Sequence, residues 1–281
     1  MPGAKLHSYT AQGFAMTDDA QSTAETSIDT SVPHSARIWN YWLGGKDNYA
    51  VDRAAGDQFS AIYPKIVDIA RADRQFLGRV VRFLAREAGV RQFLDVGTGL
   101  PTADNTHQVA QRVAPESRVV YVDNDPLVLA HARALLTSSP QGTTNYVDAD
   151  MGDPGEVLQE AAQWLDLTQP VALTLMGVLG HVIDHDKARL IVPGLLDGLP
   201  AGSYLAINDS IDTSEALEEA LRQYEASGAA PYRTRSLEQF TGYFDGLDLV
   251  EPGVVPVIDW RPDPDTSRFE IPQAGAVGRK R

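Results

Sequence analysis

Three aspartates stand at the ends of three successive apolar segments, each placed to bind a ligand. Asp95 lies in Arg91-Gln-Phe-Leu-Asp-Val-Gly-Thr-Gly-Leu-Pro-Thr102, two residues before Gly97. Asp123 closes Val119-Val-Tyr-Val-Asp123, and Asp150 follows in Asp148-Ala-Asp-Met151. Gly97 and Gly99 let the backbone turn tightly and approach a ligand more closely than a Cβ would allow. A strand, a glycine turn opening onto a helix, and an acid ending the next strand make up a nucleotide-type site at the carboxyl ends of a parallel sheet. In that layout Thr98 donates from its hydroxyl or backbone, and Asp123 accepts from both hydroxyls of a ribose. Asn124 contacts the base, Asp150 accepts from its exocyclic amine, and Met151 packs on the ring. Each acid alone is more often a helix cap or a surface residue. Three at three successive strand ends point to a site.

The charge at Asp95 narrows the ligand. A carboxylate inside the turn is a poor neighbour for a pyrophosphate, because like charges repel at short range. It suits a cofactor carrying positive charge, such as S-adenosylmethionine with its sulfonium and ammonium groups. A nicotinamide-dependent oxidoreductase would share the glycine turn and Asp123 but leaves Asp95 and Asp150 unexplained. The sequence also lacks the Tyr-x-x-x-Lys pairing of short-chain reductases. A non-catalytic sensor or regulatory subunit that binds S-adenosylmethionine or S-adenosylhomocysteine is a further alternative.

Transfer from a sulfonium needs orientation and desolvation more than proton chemistry. A general base helps only where the acceptor has a proton to lose. The candidates are His181 after the fourth strand and Asp209 after the fifth, though packing or capping explains either as readily. There is no Asn/Asp-Pro-Pro-aromatic tetrad of the kind that methylates amide or exocyclic amine nitrogens. Without cysteine there is no covalent thiolate adduct, disulfide framework or thiolate zinc site. His181 and His185 lie four apart and would share a face only in a helix. They follow a strand as a loop, so no metal is expected.

These side chains need a scaffold, and the pattern supplies one. Strands are predicted at 92–96, 118–123, 143–148, 170–176 and 202–208, alternating with helices near 104–113, 126–137, 154–165, 186–197 and 213–227. Pro126 and Pro154 follow aspartates as first-turn prolines behind acidic caps. A helix over 236–244, then Leu247–Val250 and a strand near 269–277, form a closing antiparallel pair. The expected fold is α/β: a doubly wound, mostly parallel seven-stranded sheet with a C-terminal antiparallel pair and an N-terminal helical cap. The expected divisions are a disordered tail over 1–32, a cap or lid over 33–89, and a Rossmann-like domain over 90–281.

In the cap, Ser35 is expected to start a short helix carrying Ile38, Trp39, Trp42 and Leu43. Gly44-Gly45-Lys46-Asp47-Asn48 then breaks the chain, and as a lid it would point Lys46 and Asn48 inward. It is no phosphate loop, since Asp47 follows the lysine. From Pro64 to Ala88 a long amphipathic helix gathers Ile66, Ile69, Phe76, Leu77, Val80, Phe83 and Leu84 on one face. Arg71, Arg74, Arg79, Arg82 and Arg86 lie on the other, expected to be solvated. Asp73 falls on the apolar side and needs a partner, either a backbone to cap or the pocket itself.

With 281 residues, 43% of them apolar, the chain can bury a sizeable core. A net charge of -14 argues against a general nucleic-acid binder. No apolar run is long enough to span a bilayer, and the Ser-, Thr- and Asp-rich start has no signal-type apolar core. A cytoplasmic location and a small-molecule partner are expected, with the oligomeric state left open.

The constellation resembles the class I S-adenosylmethionine-dependent methyltransferases. The resemblance implies that Asp95, Gly97 and Gly99 hold the methionine end, Asp123 the ribose, and Asp150 with Met151 the adenine. Ala36-Arg-Ile-Trp-Asn-Tyr-Trp-Leu-Gly-Gly-Lys-Asp-Asn-Tyr49, Phe93–Thr102, Val120-Tyr-Val-Asp-Asn-Asp-Pro126 and Val250-Glu-Pro-Gly-Val-Val-Pro256 are similar to one bacterial family of S-adenosyl methyltransferases of unassigned substrate. The likeness spans roughly residues 34 to 281, with Pro101 standing where the wider class has a third glycine.

Overall fold

Parallel strands are covered by helices on both faces, so they must be apolar on both sides. The central segments meet that demand. In the computed structural model, which describes residues 29–135, 137–264 and 266–281, β1 (Gln92–Val96) is buried throughout. β4 (Ala172–Met176) and β5 (Tyr204–Ser210) are buried along nearly their whole length. β2 (Arg118–Asp123) and β3 (Thr143–Asp148) extend the parallel array outward from β1. The order is β3-β2-β1-β4-β5-β8-β6, where β6 is Leu247–Leu249 and β8 is Gln273–Lys280. β8 runs antiparallel between β5 and β6, and a two-residue strand β7, Val255–Pro256, pairs with it as an eighth. The last strand begins at Gln273 rather than near 269 because Pro272 has no N–H to give a ladder. Strand order reverses between β1 and β4, and ligands bind at the carboxyl ends beside such a switch.

Alternation along the strands sends side chains into two cores. Phe93, Val119 and Ala206 join α1 (Ser35–Trp42), α2 (Ala50–Ile62), α3 (Ile66–Arg86) and α8 (Glu215–Ala226) on one face. Leu94, Val120 and Leu173 meet α6 (Pro154–Ala161) and α7 (His185–Asp197) on the other. The remaining helices are α4 (Thr106–Val113), α5 (Pro126–Leu135) and α9 (Leu237–Thr241). The boundary expected at residue 89 therefore has no counterpart in the packing: α1 to α3 share the sheet's own core.

Local chemistry explains most element starts. Asp153 accepts from Glu156 N and caps α6 behind Pro154, and Asp125 accepts from Leu127 N at 2.8 Å. Ser35 does not cap α1; His34 holds that position, and its N–H is taken by Asp52 Oδ1 of α2 at 2.9 Å. Asp52 and Arg37 form a buried ion pair at 2.9 Å that ties α1 to α2. Arg37 also donates to the carbonyls of Asp29 and Val32, at the end of the segment expected as a tail. Most of that segment lies outside the described residues.

The arginine face of α3 is solvated at Arg71 and Arg86, as expected, and departs from expectation at two positions. Arg79 is buried and donates to the carbonyls of Trp260 and Val257. Arg74 donates to Ala103 O at 3.0 Å and Asn105 Oδ1 at 2.8 Å. The segment after β6 and the loop before α4 each cover a side of the helix, so a face polar by angle is not free by packing. Among the described residues no helix is long and apolar enough to cross a membrane.

Candidate functional site

The turn from β1 to α4 takes its shape from Gly97 and Gly99, whose φ angles of +72° and +61° lie in the left-handed region. An L side chain there costs about 1–2 kcal/mol. Gly97 N donates to Val122 O at 2.8 Å. Gly99 N donates to Asp123 Oδ2 at 2.9 Å, so the acid ending β2 is fastened to the turn after β1. Asp123 Oδ1 accepts from Asp125 N at 3.0 Å. Burial raises the Asp123 carboxyl, while the two N–H donors act against it.

Asp95 is more deeply committed. Its Oδ2 accepts from Thr106 Oγ1 at 2.5 Å and its Oδ1 from Thr174 Oγ1 at 2.8 Å, linking β1 to α4 and β4. Burial raises its pKa, opposed by the two hydroxyls and by Arg74. Thr98 Oγ1, by contrast, is buried without a partner. On the outer strand Asp150 Oδ1 accepts from Gly152 N at 2.7 Å, and its side chain is exposed.

One cavity of about 800 Å³ runs along these strand ends, within the range of small-molecule sites. Asp95, Gly97, Thr98 and Gly99 line it from the first turn, Asp123 and Asn124 from the second, and Asp150 and Met151 from the third. The cavity thus brings together all eight residues that the strand-end pattern singled out. Lys46 and Asn48 do not line it. Lys46 is exposed, and Asn48 donates to Asn40 Oδ1 and Gly45 O, both at 3.0 Å. A tight loop must satisfy its own polar groups first, and Asn48 is used for that. Asn40, buried on α1, does reach the cavity wall.

His181 lines the cavity on the 3₁₀ turn after β4. Its Nδ1 lies 3.0 Å from Pro231 O and donates to it, which leaves Nε2 as the basic nitrogen. Burial depresses its pKa, so the ring is neutral. Asp184 caps α7 by accepting from the N–H groups of Asp186 and Lys187, and His185 begins that helix.

Of the other lining residues, the sequence singled out only Asp73 for the pocket. Arg74 brings a guanidinium to the wall beside the glycine turn. Asp73, the polar exception on the apolar face of α3, does reach the cavity, where its Oδ2 accepts from Gln273 Nε2 at 3.1 Å. Burial and the nearby Asp209 raise its carboxyl far above the usual range. Asn208 and Ser210 at the end of β5 and Tyr232 complete that side. The Tyr232 hydroxyl donates to Asp209 Oδ1. The strand-end rule covers Asn208, which closes the fifth predicted strand. Arg74 follows Asp73 but belongs to the polar face, which was expected to be solvated.

The family described as S-adenosyl methyltransferase matches residues 21–281. The fold is similar to a DUF574-family protein from Streptomyces avermitilis, at 48% identity and a TM-score of 0.87, over 91% of this chain and 100% of that one. It is also similar to a putative methyltransferase from Thermobifida fusca, at 39% identity and a TM-score of 0.83, over 90% and 97%. An S-adenosylmethionine-dependent methyltransferase from Anabaena variabilis shares the fold at 16% identity and a TM-score of 0.50, over 76% and 95%. No curated protein matches.

Proposed function

We propose a function from one premise: this chain belongs to the S-adenosyl methyltransferase family. It is an S-adenosylmethionine-dependent methyltransferase, and the cofactor fits the cavity described above. The observation that carries the placement is the fastening of Asp123 to Gly99 N, with Asp95 and Asp150 at the neighbouring strand ends of the same cavity. In our reading Asp123 takes the ribose hydroxyls on its free lone pairs, and Asn124, Asp150 and Met151 hold the adenine. Thr98 Oγ1, otherwise orphaned, donates to the methionine end. Arg74, on the wall beside the turn, pairs with the methionine carboxylate through the guanidinium N–H groups not already given to Ala103 O and Asn105 Oδ1. Asp95 supplies negative charge toward the ammonium and sulfonium while its own oxygens hold α4 and β4 in place.

When bound, S-adenosylmethionine supplies a methyl group activated on a sulfonium. The chain's part is to orient the two reactants, exclude water and hold any proton the acceptor loses. His181 Nε2 is one basic atom for that proton. The acceptor is a small molecule. Supporting this, α1 contributes Ser35, Ala36, Trp39 and Asn40 to the cavity wall, and His34 Nδ1 stands 3.2 Å from Asp125 Oδ2, both on the same lining. The cavity also continues past the acids to Asn208 and Gln273, which leaves room for a second ligand and favours catalysis over a sensor role.

Titration calorimetry with S-adenosylhomocysteine, using NAD as control, tests the reading. Binding of the first at micromolar strength or better and none of the second is expected. Absence of S-adenosylhomocysteine binding overturns the placement.

A further inference from the structure

The cavity has a second polar end on the far side of β4 from the acids of β1, β2 and β3. There α3, β5 and β8 contribute Asp73, Asn208 and Gln273, which are 7%, 0% and 2% exposed. Four of their polar atoms lie buried without a hydrogen bond of good geometry: Asp73 Oδ1, Gln273 Oε1, and both Oδ1 and Nδ2 of Asn208, although the Asn208 side chain stands near enough to Asp73 to favour its ionised form. Buried polar atoms in folded proteins are almost always satisfied, and these three side chains face a cavity. The same cavity also carries a continuous chain of aromatic rings. Trp39 meets Trp42 at 5.7 Å, Trp42 meets Phe59 at 5.1 Å, and Phe59 meets Tyr224 at 5.8 Å between ring centroids, and all four residues line the cavity.

We propose that this end is the acceptor subsite and that it takes an amine carried on a flat, apolar body. The inference rests on the methyltransferase reading for the position of the cofactor, and adds the class of acceptor. Three of the four unpartnered atoms are oxygens, so the ligand that satisfies them must mostly donate. Burial and the nearby Asp209 disfavour an ionised Asp73, and a basic nitrogen beside it would favour that ionised form. A carboxylic acid would bring a further acidic group beside these two buried carboxyls and worsen the repulsion. An alcohol would meet the oxygens without meeting the charge. The aromatic wall suits a planar body and also attracts a cation.

The proton accounting closes on the same residues. The bound ammonium first gives one proton to Asp73 Oδ1; the freed nitrogen lone pair then forms the N–C bond as the S–C bond breaks, leaving S-adenosylhomocysteine neutral at sulfur and the positive charge on the methylated nitrogen. Asp73 Oδ1 is the unpartnered carboxylate oxygen on this wall, and the Tyr232–Asp209 pair stands beside it.

Saturation-transfer NMR on the full chain, loaded with S-adenosylhomocysteine, tests the assignment with three probes of one shape: tryptamine, tryptophol and indole-3-propionate. Tryptamine is expected to bind at least about tenfold more tightly than tryptophol, with indole-3-propionate weakest. Asp73→Asn is expected to remove the preference for tryptamine while S-adenosylhomocysteine affinity stays within about twofold. Asn208→Ala, which leaves the charge in place, should weaken tryptamine and tryptophol alike; thermal melts of both variants establish that they fold. Equal or tighter binding of indole-3-propionate, binding of none of the three, or an unchanged preference in Asp73→Asn each overturns the proposal. A wild-type chain that binds tryptamine but not S-adenosylhomocysteine would instead overturn the cofactor placement on which it rests.

Discussion

A methyl group built on Gly97 would lie 2.3 Å from Val178 Cγ2 and 2.8 Å from its Cβ. The first turn and the segment after β4 therefore touch at a point with no spare room, and Gly97 also holds a left-handed φ of +72°. Gly99 shares the left-handed backbone, yet nothing lies within 4 Å of the Cβ it lacks. The two glycines serve different ends: Gly97 closes the packing and Gly99 keeps a space open.

That contrast separates two substitutions. Gly97→Ala combines backbone strain with a clash against a branched side chain, and should cost about 3 kcal/mol of stability or more. Gly99→Ala should cost only about 1 kcal/mol, while lowering S-adenosylhomocysteine affinity about tenfold or more by filling the open space. Urea unfolding and calorimetry on both variants measure this. Equal stability losses would remove the distinction.

Asp123→Ala removes the acceptor for Gly99 N as well as the proposed ribose partner. Loss of hydrogen bonds to a charged group costs about 1.5–3 kcal/mol, so S-adenosylhomocysteine should bind at least about tenfold more weakly. An unchanged affinity in the calorimeter would end the ribose assignment.

Arg74→Lys tests the methionine end. Lysine keeps the charge but loses the fork that reaches Ala103 O and Asn105 Oδ1. S-adenosylhomocysteine should weaken about tenfold, whereas 5′-methylthioadenosine, which lacks the amino-acid end, should bind as to the wild type. Equal weakening of both ligands would mean that Arg74 only supports the turn.

The sheet was legible because burial on two faces writes itself into a strand as an uninterrupted apolar run, and β1 and β2 fall where the runs at 92–96 and 118–123 place them. The acids that line the cavity at the ends of β1, β2 and β3 were legible from the strand pattern taken together, with Asp95 inside its apolar segment, Asp123 closing one, and Asp150 just past the more polar Thr143–Asp148. The other end of the cavity is built from residues brought together only by topology. Asp73 on α3 and Gln273 on β8 are 200 positions apart and meet because β8 inserts antiparallel beside β5. Arg79 shows the same limit, since its partners Val257 and Trp260 come from a distant loop. Lys46 and Asn48 failed for the opposite reason, because a distinctive local sequence was serving its own loop.

Asp209 gives the fold a pH dependence of definite sign. It is wholly buried, and desolvation pushes its carboxyl up to about 6 from 3.8, against the Tyr232 hydroxyl, the Ser210 N–H and Arg235. A folded pKa above the unfolded one means that the native state holds the proton more tightly. Its stabilising contribution is then full below the unfolded value and is lost as pH rises through the folded value. Between about pH 4.5 and 7.5 that loss amounts to about 2 kcal/mol. Acids held below their usual range, such as Asp166 beside Thr168, work in the other direction. The test is therefore the difference between wild type and Asp209→Asn, without cofactor, from urea unfolding at both pH values. The wild type should lose about 2 kcal/mol more than the variant over this interval. Parallel behaviour of the two proteins would show that Asp209 ionises normally and cannot hold a proton near neutral pH beside the proposed acceptor.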